Sequence, residues 1–277
     1  MRMSRLSAAT RAPLRFLDEL SGQMQFYVRS IGWVPRTLRR YTKEVVRLLA
    51  EVSLGTGALS VIGGTVGVLT FLAFFTGSQV GLQGYSSLDQ LGTGAFAGFV
   101  SAYLNTLEIA PLVAGLALAA TVGCGFTAQL GAMRISEEVD ALEVMGIPSL
   151  PFLVTTRMIA GFVAVIPLYV LGLLSSYAAT RFIVTGYFGQ STGTYDHYFH
   201  LFLPPGDILW SFAKVLIFAV VIIGIHCYYG YTASGGPAGV GVAVGRAVRT
   251  SIVAVNVIDF FLSLAIWGAT TTVRIAG

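Results

Sequence analysis

The chain has 277 residues, of which 55% are hydrophobic and only 11% charged, with a mean hydropathy of +0.77. A soluble domain carries about a quarter charged residues, so this composition excludes a mostly water-exposed surface and implies an integral membrane protein. The net charge of +4 is unevenly placed: residues 1 to 51 hold ten of the 17 Lys and Arg against four acids, and the rest of the chain is slightly acidic.

The basic region, residues 1–50, contains no apolar run suited to a signal-peptide core. It mixes Arg and Lys with Phe26, Tyr27, Trp33 and Tyr41, the composition of an amphipathic helix lying in the headgroup plane. A nucleic-acid-binding arm is the competing reading of such a basic run, but the apolar spans behind it argue against one, and no nucleic-acid partner is expected.

Apolar runs long enough to cross the hydrocarbon layer lie near 52–76, 108–131, 158–181, 208–230 and 251–273. They predict an all-α protein with five transmembrane helices, in a membrane domain over 51–277. In the first run, Gly63 and Gly67 have the spacing that permits close helix contact, within this chain or with a second one. Residues 93–107 are also apolar; with Pro111 read as a break, they form an interfacial or re-entrant piece, with a sixth span as the alternative. The two cysteines, Cys124 and Cys227, sit in apolar runs with no CxxC pair and read as core residues.

Short basic loops favour the cytoplasm, which places the N-terminus inside, Arg134, Arg157, Arg246 and Arg249 inside, and the C-terminus outside a multi-pass membrane protein. The stretch "EEVDALEVMGIP" is then cytoplasmic. It predicts a short helix over 136–146, with Ser136 as its cap, Glu137 and Glu138 in the first turn, Gly146 as stop and Pro148 forbidding continuation. Ile135, Val139 and Leu142 form one stripe that rests on the membrane domain. Glu137, Glu138, Asp140 and Glu143 occupy the remainder, with Ala141 and Val144 between them; they suit a basic partner or simply water.

Glu108, Lys214 and Asp259 fall inside apolar runs, where charges are costly and usually face a cavity or a polar partner. Lys214, close to the outer end of its run, is expected to snorkel; Glu108 and Asp259, with Pro111, mark a subunit interface or a lipid path, or are simply paired. His197 and His200 lack a third ligand, so no metal site is expected, and their surroundings predict an outer amphipathic segment near 187–203. "GGPAGVGVAVG" reads as a flexible connection between the last two spans.

The run "APLVAGLALAATVGCGFTAQLGAMRISEEVDALEVMGIP", residues 110–148, resembles the signature region of the MlaE/YrbE family, permease subunits of bacterial ABC transporters that move lipids. The resemblance covers about residues 45–270, through "YGYTASGGPAGVGVAVGRAVRTSIV" and "VIDFF", and "STGTYDHYFHLFLPPGDILWSF" is similar to the B-type YrbE subunits of actinobacterial Mce loci. It implies that 136–146 is the coupling helix, docking Glu137, Glu138, Asp140, Ala141, Glu143 and Val144 on a separate ATPase. It further implies a second, non-identical permease, MCE-domain proteins on the outer face and a lipid substrate, with import as the usual direction. The chain has no GxxxxGK[ST], so no cofactor is expected on it, and ATP and Mg belong to the partner ATPase. Departures from the family pattern at Leu107, Ala120, Thr121 and Gln129 put polar contacts made there by other members in question. A self-contained secondary transporter, using Glu108 and Asp259 as a proton relay, is the main alternative; it favours an inverted repeat, and none is evident. A membrane scaffold without transport is a third, and needs no coupling helix.

Overall fold

The computed structural model describes residues 21–54 and 64–268. Among these residues every regular element is a helix, and five are long and apolar enough to cross a membrane.

Three short helices come first: α1 over 21–32, α2 over Val34–Arg40 and α3 over Thr42–Leu54. Each is two-faced. Leu48, Val45, Ser30 and Thr37 are buried, while Met24, Val28, Ile31, Leu38 and Val46 are exposed. The backbone carbonyl of Ser30 accepts a hydrogen bond from Thr155 Oγ1 at 3.1 Å, and the Phe26 ring packs edge-on against Tyr228 at 5.4 Å. The hydrogen bond from Arg47 on α3 holds the Glu44 carboxyl below its ordinary range, with the guanidinium 2.5 Å away.

The first long helix, α4, runs Thr65–Gln90, offset from the expected 52–76. The apolar run straddles the end of α3 and the extended backbone at Gly64, so the crossing begins later and continues through "SQVGLQGYSSLDQ". That continuation packs well because its residues are small. A Cβ at Gly77 would collide with the backbone of Ser176, and Gly77 O accepts from Thr180 Oγ1 at 2.7 Å. Between helices in lipid the hydrophobic effect is weak, and close approach of small residues supplies the attraction. Gly67 lies half-buried in α4, whereas Gly63 is outside the described residues.

Helix α5 spans Gly94–Ile135, 42 residues without interruption. The separate piece over 93–107 and the break at Pro111 are therefore not found. The chain passes Pro111 by widening its hydrogen-bond ladder over Ser101–Ile109, with a second wide turn at Ala119–Gly123. A short helix, α6 (Glu138–Val144), follows, and then α7 (Leu150–Tyr187), α8 (Thr192–Leu201), α9 (Pro205–Tyr231) and α10 (Gly236–Trp267). The glycine-rich stretch read as a flexible connection forms the first turns of α10. Helix α8 is the amphipathic segment expected near 187–203; it buries Tyr195 and ties Asp196 to Arg181 at 2.7 Å, leaving His197 and His200 exposed. Burial pushes the Tyr195 phenol up to about 12.

Helix α7 lies centrally, against α4 on one side and α9 on the other, and α10 packs on α9 and α5. The core they enclose includes Leu118, Phe126, Val154, Tyr169, Phe218 and Ile222.

Candidate functional site

Helix α6 is shorter than the span 136–146, and its start differs from expectation. Ser136 does not cap it: the hydroxyl donates back to Ala132 O at 3.0 Å and to Glu138 Oε1 at 2.9 Å, closing α5. Glu137 takes the cap position in the left-handed region, at φ 60°, and turns the chain sharply between the two helices. Gly146, at φ 74°, and Pro148 end the element as expected. Val139 is buried and Leu142 packs against the core, so these two form the inward side of α6, whereas Ile135, half-buried, ends α5 on the far side of the turn at Glu137 and is not part of the same helical stripe.

The opposite face is exposed: Glu137, Glu138, Asp140, Ala141, Glu143, Val144 and Met145. These are not equivalent. Asp140 pairs with Arg134 at 2.8 Å, and Glu143 accepts from Ser149 Oγ at 2.7 Å, which also meets Tyr231 OH at 2.7 Å. Glu143 thus fastens α6 to α7 and α9, while Glu137 and Glu138 project without an ion pair among the described residues. Val144 is 89% exposed and Met145 65%, an apolar knob beside the carboxylates. Met145 was not singled out from sequence; an apolar residue off the buried stripe was the available signal.

The three intramembrane charges converge. Pro111 has no N–H, so the Leu107 carbonyl four residues earlier loses its helical donor. Lys214 Nζ fills that place at 2.9 Å, while also meeting Glu108 Oε2 at 3.2 Å, Asp259 Oδ1 at 2.6 Å and Ser263 Oγ at 2.8 Å. Ser263 in turn donates to Glu108 Oε1 at 2.8 Å. Lys214 is fully buried, with its ammonium 5.5 Å from the Trp267 ring, so it does not snorkel. Its counter-charges lie within the bundle, at 2.6 and 3.2 Å. The Trp267 indole donates to Asp207 Oδ1 at 3.1 Å and closes this end of the cluster. Two carboxylates share one ammonium, and Glu108, with 37% of its side chain accessible, is the member that reaches the surface. Ser263 lies one turn after Asp259, a helical spacing that would have suggested it; nothing in the sequence pointed to Trp267.

A second polar chain crosses the opposite end of the bundle. Gln129 Nε2 donates to Glu51 Oε1 at 2.9 Å and its carbonyl accepts from Arg157 Nη2 at 3.3 Å. Arg157 is buried in α7 rather than lying in a loop, and also donates to Leu153 O at 2.9 Å. Gln129 therefore makes polar contacts of its own, with the amide as bridge between Glu51 and Arg157. His226, which sequence reasoning passed over, is fully buried between Thr127 (2.8 Å) and Ser251 (3.3 Å), and its ring lies where a Cβ at Gly123 would sit.

Five long apolar helices around a buried ammonium and its carboxylates define a multi-pass membrane protein. The family model for the permease MlaE matches residues 55–265, and the chain belongs to that permease family. It is 30% identical over 199 residues to the chloroplast protein trigalactosyldiacylglycerol 1 of Arabidopsis thaliana, covering 72% of this chain and 57% of that protein, so it spans little more than half of this relative. A probable ABC transporter permease of Synechocystis is 29% identical over 228 residues, 82% of each chain. Another, from Rickettsia bellii, is 28% identical over 196 residues, 71% of this chain and 76% of that one.

Proposed function

We propose that the chain is the permease subunit of an MCE-associated ABC transporter that moves a lipid across the cell envelope, and that α6 is the coupling helix on which a separate ATPase docks. The observation that carries this is the exposed face of α6: Glu137 and Glu138 without ion-pair partners, Ala141 and the protruding Val144 and Met145. A partner with basic residues around an apolar socket fits such a face, since complementary charge guides encounter while buried apolar contact supplies affinity. The relatives named as ABC transporter permeases support the reading, as does the lipid in the Arabidopsis protein's name. ATP and Mg then reside on the ATPase, and α6 faces the cytoplasm of a plasma-membrane protein with its N-terminus inside. A second permease completes the core, MCE-domain proteins cap the outer face, and transport runs inward. Glu108, Pro111 and Asp259 line the subunit interface or the lipid path in this arrangement, with the accessible side of Glu108 as the point of contact.

Charge reversal tests the docking face. Glu137→Lys with Glu138→Lys leaves the Asp140–Arg134 and Glu143–Ser149 contacts in place. The tagged permease is expected to insert normally but to lose its co-purifying ATPase, because like charges at an interface cost several kcal/mol. Undiminished recovery of the ATPase would show that these carboxylates merely solubilise the helix.

A further inference from the structure

We propose that the chain holds one anionic phospholipid in a two-part cavity beneath α1, away from the Glu108–Lys214–Asp259 cluster, with an acyl chain between α1 and the spans and the headgroup against Arg246. The proposal goes beyond the transport reading and requires only that the chain sits in a membrane.

The first compartment is a cavity of about 430 Å³ lined almost wholly by apolar atoms, among them Met24 and Tyr27 of α1, Met158 of α7, Val221 and Ile225 of α9 and Ala254 of α10. It falls in the size range of sites that hold small organic ligands, about 300–1,000 Å³. Its roof is α1, whose Tyr27 ring lies 3.4 Å from where Gly224 would carry a Cβ, so the glycine lets the ring settle onto α9. The Tyr27 hydroxyl is buried and has no hydrogen-bond partner among the described residues. A buried donor left without an acceptor is unfavourable by about 1–3 kcal/mol, and an ester or phosphate oxygen entering the cavity would remove that penalty. Burial holds the phenol well above its ordinary pKa, so it remains a neutral donor.

The second compartment, about 680 Å³, is polar and shares Gln23 with the first. The two are joined again where Tyr229 of the polar side meets Thr250 of the apolar side, hydroxyl to hydroxyl at 3.4 Å. Arg246 lines the polar compartment and forms no ion pair among the described residues. A cation without a counter-charge gives the compartment a positive character that favours an anion. An apolar slot opening onto a cationic chamber is the complement of a lipid with a negatively charged head.

The test uses the full chain in nanodiscs containing phosphatidylglycerol or phosphatidylcholine with a diazirine in the acyl chain, photolysed and mapped by mass spectrometry of labelled peptides. The phosphatidylglycerol chain is expected to label residues 21–32 and 220–225 about fivefold more than the phosphatidylcholine chain, the preference one arginine confers near an anionic headgroup. Arg246→Glu should bring that ratio to one. Ala254→Phe, which fills the apolar slot, should remove labelling of 21–32 by either lipid, and Met24→Trp, which fills it from the exposed rim, serves if the first variant does not fold. Equal labelling of the unaltered chain by both lipids, or labelling that survives the filled slot, would overturn the proposal and leave only ordinary boundary lipid.

Discussion

Lys214 shows how one residue type sets its surroundings. An isolated ammonium inside a bundle is strongly unfavourable, yet here it takes up the carbonyl that Pro111 orphaned and offsets one of the two carboxylate charges it contacts. Lys214→Met removes the cation and leaves Glu108 and Asp259 facing each other; it should destabilise the protein by about 3–5 kcal/mol, read as a lowered melting temperature in detergent. Replacing all three groups together, as Lys214→Met, Glu108→Gln and Asp259→Asn, should recover most of that loss, since a neutral cluster of similar volume carries no uncompensated charge. A triple variant no more stable than the single one would mean that the ion pairs do not account for the effect. Glu137 offers a smaller test at the same scale. Its left-handed backbone is unfavourable for a residue with a Cβ, so Glu137→Gly should raise the melting temperature slightly, by the equivalent of about 1 kcal/mol.

At the scale of elements, small residues let the long helices approach closely at particular points beside the large side chains of the core. Gly77→Val would drive a side chain into the backbone of Ser176 and part α4 from α7, and little folded protein should survive detergent extraction. By contrast Gly245, inside α10 with open space around its α-carbon, should accept Ala with a gain of about 0.5–1 kcal/mol, measured by the same thermal assay. The number of crossings was legible because length and hydropathy impose it: each span must be apolar for about 20 residues. Their limits were not. Hydropathy alone cannot see that Gly64 is extended, that small polar residues continue α4, or that a wide turn carries α5 past Pro111. The inward side of α6, Val139 and Leu142, was legible from helical spacing, whereas the turn through Glu137, which leaves Ile135 on α5, depends on how α5 ends. The pairing of Lys214 was legible in principle: a proline in a span leaves one carbonyl wanting a donor, and Lys214 is the only lysine in the five spans.

For the whole molecule, the two polar systems divide the bundle. The Lys214 cluster ties α5, α9 and α10 together at one end, and the Glu51–Gln129–Arg157 bridge ties the N-terminal helices to α5 and α7 near the end that carries α6. One contact route leads inward from α6: Glu143 contacts Ser149 at the start of α7 and, through it, Tyr231 at the end of α9, the helix that also holds Lys214. In the proposed arrangement an ATPase moving α6 would act first on α7 and α9 through these contacts. Ser149→Ala should uncouple this route, leaving the ATPase bound and hydrolysing while lipid transport falls several-fold. The central claim, that the chain is driven by a separate ATPase, is tested most directly by reconstituting the complex in liposomes with a labelled lipid, once with the native ATPase and once with its hydrolytic site disabled. The account predicts ATP-dependent lipid movement in the first case and none in the second; equal movement with the disabled ATPase would contradict it.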